Sequence, residues 1–263
     1  MKVLNTMVTL FIAAPMMIAV ATILLYNFPW LFRPLKNKVN SIAVSGPVIV
    51  VSDVHIGSRK SYYTILGKLL KKIEHSTVIV AGDLLNERVP LNSIVKSLKI
   101  ALEALDLERS RIIYIISTAS HDIDGYFEKP LHLIINGISI SMVSGIARIL
   151  IDDCNSYIYA THGEYVSRDG AVAYFLDRLS VSLFRKSITA LVMRRIMGAE
   201  RATWIFIGHS HIPSIEPGLK VVNTGSWDDR VYAPAKPGIG IIKCVDNRLD
   251  VEFIEIPLNA SHN

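Results

Sequence analysis

The sequence predicts an α/β fold organised around a parallel sheet, and three observations predict it. From residue 48 onward, short apolar runs alternate with segments of helical spacing in the order strand, helix, strand, helix, strand, the signature of βαβ units. The first run, Val48-Ile49-Val50-Val51, is apolar throughout, as in a strand buried on both faces. Each run also stops at an aspartate or a histidine, at the strand end where open α/β sheets place their ligands.

Size and composition set the frame. The 263 residues suffice for one large domain or two small ones. Hydrophobic residues make up 51%, a little above the roughly 45–50% usual for globular chains, with the excess near the N-terminus. A formal charge of +5 and a pI near 9.1 suit anionic partners such as phosphate esters, nucleic acid or acidic lipid headgroups. Cys154 and Cys244 are far apart in sequence and form no C-x-x-C pair, so the expectation is reduced thiols in a reducing compartment. Glutamine is absent, which is compatible with adaptation to heat.

The chain is expected to divide into an N-terminal anchor (1–32), a polar linker (33–46) and one α/β domain (47–263). Met7 to Phe32 is almost wholly apolar, with Lys2 before it and Arg33, Lys36 and Lys38 after it. About 20 apolar residues span a bilayer as a helix, and Tyr26 and Trp30 suit an interfacial belt. A cleaved signal peptide is the rival reading, opposed by the length of the apolar run and the lack of a small-x-small site. A single-pass anchor is therefore expected, with the denser basic residues after it favouring a cytoplasmic domain.

Along the domain, strands are expected at Val48–Val51, Val78–Ala81 and Arg111–Ser117, then near Leu131–Ile135, Ile138–Val143 and Tyr157–Thr161. Tyr62–Glu74 carries Ile65, Leu66, Leu69, Leu70 and Ile73 on one helical face, and Leu91–Leu105 is a second helix. A helical insertion (about 165–201) precedes the tail. Short strands over Trp204–Ile207, Leu219–Val222, Gly238–Cys244 and Leu249–Ile256, split by turn residues, then read as more antiparallel.

The strand ends carry the chemistry. The first run leads into Asp53-Val54-His55, and extended backbone would point residues two apart to one side. Later ends supply Gly82-Asp83, Ser120-His121-Asp122, His162-Gly163-Glu164 and Gly208-His209-Ser210-His211. Five of the 8 histidines sit at such ends. Carboxylate and imidazole without thiolate suit divalent Mn, Fe or Zn. Two such ions about 3.5–4 Å apart can clamp a phosphoryl group, with one more imidazole to protonate a leaving oxygen.

This order of motifs resembles the calcineurin-like metallophosphoesterase family over residues about 48 to 255. The resemblance implies a four-layer αββα sandwich with a helical cap insertion and a site for two divalent ions. It implies Asp53, His55 and His211 on the first metal, Asp83 bridging, and His162 and His209 on the second. His121 would be the general acid, oriented by Asp122. One position departs: Ser120 stands where the family's Gly-Asn-His-Asp motif has an asparagine that ligates the second metal. A serine hydroxyl is a poorer donor, so a weaker second site is expected.

The motifs name a reaction and leave the substrate open. Asn223-Thr224-Gly225-Ser226-Trp227 and Thr161-His162-Gly163-Glu164 look similar to the branch containing UDP-2,3-diacylglucosamine pyrophosphatases, although that branch often carries arginine at the position of His121. The insertion is basic, and Arg178, Arg185 and Arg194 are candidate substrate-binding residues. Its apolar residues recur at helical spacing, which suits either a pair packed on the core or a cap accepting lipid chains. The expected partners are thus a phosphorylated small molecule or lipid-linked substrate and the bilayer. A nuclease is disfavoured, because no further DNA-binding segment has room. The alternatives are hydrolysis of soluble nucleotides or a metal-binding scaffold without turnover.

Overall fold

A computed structural model describes residues 39–107, 110–117 and 121–258, with short pieces at 21–22, 24–28 and 30. The expected anchor over Met7–Phe32 lies mostly outside the described residues; among those described, no helix is long and apolar enough to cross a membrane. Ser120 also lies outside them.

The chain opens with β1 (Val39–Val44) and β2 (Val48–Val51), followed by α1 (Tyr63–Leu70), β3 (Thr77–Ala81) and β4 (Val89–Pro90). A 3-10 turn at Leu91–Ser93 leads into α2 (Ile94–Leu105), then β5 (Arg111–Ile116), β6 (Ile123–Asp124), β7 (Leu131–Ile135) and β8 (Ile138–Ser144). Next come β9 (Ile146–Ile151), β10 (Ser156–Thr161), and the helical pair α3 (Gly170–Phe184) and α4 (Ile188–Met197). The tail is β11 (Ile205–Ile207), β12 (Ser214–Glu216), β13 (Val221–Asn223), β14 (Gly225–Ser226), β15 (Lys236–Val245) and β16 (Arg248–Glu255).

Two mixed sheets face each other. One runs β14-β15-β2-β3-β5-β8-β7, with β16 paired to β15; the other runs β1-β9-β10-β11-β13-β12. The pairs β2–β3, β3–β5 and β5–β8 are parallel, as the alternation with helices requires. The tail is less antiparallel than its turn residues suggest. β15 and β16 form a hairpin, but β11 lies parallel to both β10 and β13.

The apolar runs are continuous because alternate residues feed different cores. Ile49, Val51, Val78, Val80, Ile112 and Tyr114 meet the helices α1 and α2 through Leu66, Leu70, Leu98 and Leu102. Their neighbours Val48, Val50, Ile79, Ile113 and Ile115 face the second sheet through Ile149, Ile158, Phe206 and Val222. On that sheet's far side, Ala190 and Met193 of α4 pack on Ile205, Ile207 and Val221. The order is therefore α/β/β/α. Truncating a buried isoleucine such as Ile79 to alanine costs about 2–5 kcal/mol in sites of this kind.

Two expectations need correction. Part of the stretch read as a linker (33–46) is strand: β1 alternates exposed and buried residues, with Asn40, Ile42 and Val44 inward, and pairs with β9. Its polar residues, Ser41 among them, disguise a half-buried edge strand. Second, Cys154 and Cys244 form a disulfide across 90 residues of sequence. Cys154 follows β9 in one sheet and Cys244 lies on β15 in the other, so the bond ties the two sheets together.

Candidate metal centre

The motif residues converge where the strands of both sheets end. β2 stops at Val51, so the alternation of extended backbone does not reach Asp53 and His55. Each instead has a φ of 51°, and it is this left-handed turn that directs both side chains to the same place. Asp83, Asp122, His209 and His211 also have positive φ, which costs non-glycine residues on the order of 1 kcal/mol or more each. Such costs gather at functional sites.

Two glycines explain why the motifs need them. A Cβ on Gly82 would stand 2.4 Å from the His162 ring, and one on Gly208 would stand 2.2 Å from Asp53 Oδ2. The backbone of each loop thus packs directly on a candidate ligand.

Asp53, His55 and His211 form one group of potential ligands, Asp53, Asp83 and His162 another, and His55, Asp83 and His121 a third. His211 Nε2 is 3.3 Å from Asp53 Oδ1. Asp83 reaches two ways, with Oδ2 3.6 Å from His55 Nε2 and Oδ1 3.5 Å from His162 Nε2. His209 Nδ1 lies 3.1 Å from His162 Nε2. Carbonyls set both tautomers: Ala81 O takes the proton of His162 Nδ1, and Ser167 O takes that of His209 Nε2. With both rings neutral the facing nitrogens are both acceptors, an arrangement that a shared cation satisfies. Asp53 Oδ1, His55 Nε2 and Asp83 Oδ1 are likewise buried without a hydrogen-bond partner. The donor set fits divalent cations.

Electrostatics agree. Burial opposes the charge on Asp53, but His162, His211 and His55 hold its carboxyl well below the usual range. Burial, with Asp122, Asp53 and Glu164 nearby, pushes Asp83 well up. Burial also disfavours charge on His162, yet Asp83, Asp53, Glu164 and Asp122 push it up to about 9. Burial, then His162, drives His209 down to about 3. The metal-free cluster therefore holds protons that cations would displace.

Asp122 does not orient His121. Its carboxylate accepts from the backbone N–H groups of Asp83 (2.7 Å), Leu85 (3.0 Å) and Ser117 (3.0 Å), because a φ of 67° turns it under the strand ends. It is a brace for two loops. His121 Nδ1 instead donates to Asn86 O at 2.6 Å, and its ring lies 4.9 Å from that of His55. Burial lowers its pKa.

The helical insertion meets the centre at its root. A Cβ on Gly170 would approach His209 O to 3.3 Å, and Tyr174 packs on Tyr232, whose ring is 6.1 Å from His211. Buried Asp177 accepts from Ser187 Oγ, Thr189 N, Thr189 Oγ1 and Ser210 Oγ. Ser210 separates the two histidines of the last motif, so Asp177 ties the insertion to that loop. The three expected arginines diverge. Arg178 bonds Tyr174 Oη. Arg185 is the exposed left-handed cap of α3. Arg194 is spent on the carbonyls of Glu200, Thr203 and Lys220, which removes it from substrate binding.

Sequence reasoning missed Arg230. Its Nη2 is 2.9 Å from His55 Nδ1 and 3.4 Å from Asn86 Oδ1, and its Nε is 2.9 Å from Asp228 Oδ2. It lies just beyond the Asn223–Trp227 motif, whose Trp227 N bonds Asp53 O; that adjacency was the available signal.

The chain matches the calcineurin-like phosphoesterase family over residues 46–213, well over half its length. No curated protein sequence matches it. Among solved structures, it is similar to wild-type Vps29 complexed with zinc from Entamoeba histolytica, with 15% identity and a TM-score of 0.41, covering 80% of this chain and 98% of that one. A conserved uncharacterised protein from Streptococcus pneumoniae, described as a predicted phosphoesterase, gives 17% and 0.37 over 80% and 88%. An archaeal phosphodiesterase gives 13% and 0.37 over 79% and 99%. With its strand-end ligand groups and a family match across most of the domain, the chain belongs to the calcineurin-like phosphoesterase family.

Proposed function

We propose that the protein hydrolyses a phosphodiester or diphosphate bond in a nucleotide-linked or lipid-linked substrate at a membrane, using two divalent cations. The observation that carries this reading is the double reach of Asp83, toward His55 on one side and His162 on the other. Asp53, His55 and His211 would hold one ion, and His162 and His209 the second, with Asp83 shared. Manganese is the first candidate, then iron or zinc. With Ser120 in place of an asparagine, the second ion binds more weakly. Cations held there supply charge stabilisation at the phosphoryl oxygens and an activated water.

His121 does the proton work. Its Nδ1 is committed to Asn86 O, which leaves Nε2 to give a proton to the leaving oxygen. Burial keeps the free imidazole neutral, and an arriving phosphate anion favours its protonation. Asp122, Ala81 O and Ser167 O keep the loops and rings in register.

The membrane part of the reading rests on surface character. Leu179, Leu183, Phe184 and Leu191 of the helical pair are exposed and line a groove of about 720 Å³. The end of the apolar N-terminal stretch docks on the segment that leads into α3: Arg168 N donates to Asn27 O, and Trp30 Nε1 to Val166 O. An acyl or isoprenoid chain suits that groove, in keeping with the resemblance of the Asn223–Trp227 and Thr161–Glu164 motifs to the diacylglucosamine pyrophosphatase branch. A cytoplasmic domain remains our assignment; a disulfide there fits a heat-adapted cell, in line with the lack of glutamine.

Turnover of bis-p-nitrophenyl phosphate with added Mn²⁺, abolished in Asp83→Ala and His121→Ala, tests the chemistry. Absence of turnover in the wild-type protein would leave a scaffold. Leu179→Ser with Leu183→Ser and Leu191→Ser tests the lipid reading: the rate should fall on a lipid-linked diphosphate more than on a soluble nucleotide. Equal losses would sink it.

A further inference from the structure

We infer that a pocket beside the metal centre, lined by Arg59, Lys60, Lys68 and Arg230, binds a second anionic group of the substrate, a phosphate beyond the scissile one. The inference rests on the reading of the centre as a phosphoester hydrolase and assigns the substrate class more narrowly: a molecule with at least two phosphates.

Arg230 links the two places. One edge of its guanidinium touches His55 and Asn86, and the same residue lines a pocket of about 690 Å³ together with Arg59, Lys60, Tyr62 and Lys68. That volume lies in the range of small-ligand sites. The side chain is not free to wander. Its Nε pairs with Asp228, a carboxylate buried to 1% exposure whose other oxygen accepts from Ser58 Oγ at 2.6 Å. A buried acid thus holds a half-exposed arginine at the border between centre and pocket.

The pocket's charge is unbalanced. Asp229 is the one acid on its wall, and its carboxylate already accepts from Ala235 N at 2.6 Å and Tyr62 Oη at 3.2 Å. Among the described residues Arg59, Lys60 and Lys68 make no ion pair within 4.0 Å. Three cations on one small wall repel one another unless an anion joins them, and guanidinium and ammonium groups in a concave site are the usual receivers of phosphate.

The test is calorimetric titration of the Mn²⁺-loaded full chain with AMP and with the α,β-methylene analogue of ADP, which differs in carrying one further phosphate. The wild-type protein should bind the analogue on the order of tenfold tighter than AMP. In R59A/K60A/K68A the ratio should fall below about threefold, while K96A/K99A, with charges removed from α2, should keep it. A wild-type ratio near one, or a ratio retained in the triple variant, would overturn the subsite. Failure of the hydrolase reading shows separately, as no turnover of bis-p-nitrophenyl phosphate, and the binding ratio still decides the pocket.

Discussion

The metal centre and the helical pair beside it are built on opposite plans. In the centre Asp53, His55, Asp83, His162, His209 and His211 are all buried, and their rings and carboxylates are fixed by carbonyls, amides and left-handed turns. In the helical pair the inner face is just as ordered, through Asp177 and Met193, but the second half of α3 carries its leucines and Phe184 into solvent. The candidate ligands are set by backbone geometry at the strand ends, whereas the exposed side chains of α3 make no contact that holds the centre together.

The comparison breaks most sharply at Gly208. Gly208→Ala would press a Cβ against Asp53 Oδ2 at 2.2 Å and Ser52 Oγ at 2.3 Å, neither of them a flexible side-chain end. Loss of metal binding by more than about 100-fold is expected, beyond the scale of outer-shell changes, as read by Mn²⁺ titration. Near-normal affinity would mean that the loop is softer than its packing implies.

Asp177 sharpens the comparison, since it belongs to the helical pair but serves the centre. Asp177→Ala strands Ser210, Ser187 and Thr189 without their acceptor, at about 1–3 kcal/mol for each buried group left unpaired. Denaturant unfolding should register that loss, and Mn²⁺ affinity should weaken by roughly 10–100-fold. If affinity is untouched while stability falls, the link to the histidine loop has no functional weight.

A smaller effect follows from the protons of the metal-free centre. His162 has a folded pKa pushed up to about 9 from an ordinary 6.5, so folding binds its proton more tightly. The resulting stability is fully present below about pH 6.5 and lost as pH rises through 9; the raised Asp83 likewise favours its protonated form in the folded state. Chelated protein should therefore lose thermal stability from pH 6.5 to 9. Mn²⁺ affinity should rise over that window as the competing proton leaves.

Arg194 gives the smallest change in activity. Arg194→Ala removes three hydrogen bonds to carbonyls and should cost about 1–3 kcal/mol of stability, with kcat/KM within about twofold of wild type. A large loss of kcat/KM would return this residue to the substrate site.

These contrasts also explain what could be read from the chain alone. Val48–Val51 and Leu131–Ile135 emerge with their observed limits, because buried runs and alternating runs carry their own period. The candidate ligands were legible because each follows a strand end, and Asp83 and His209 sit beside glycines that close packing demands. β1 was not, since Asn40 and Ser41 break its apolar pattern and its partner β9 is about a hundred residues away. The disulfide depends on the facing of two sheets, which spacing cannot convey. Arg230, Asp177 and the bracing role of Asp122 were hidden for the same reason: each acts through a contact between distant segments, and Asp122 further depends on a left-handed turn that no local propensity announces.

Asp83 is expected to stand between two cations. Anomalous diffraction from crystals grown with Mn²⁺ tests this most directly. We expect two peaks about 3.5–4 Å apart, one beside Asp53, His55 and His211 and a weaker one beside His162 and His209, with Asp83 touching both. A single peak that Asp83 does not contact, or none at saturating Mn²⁺, would contradict it.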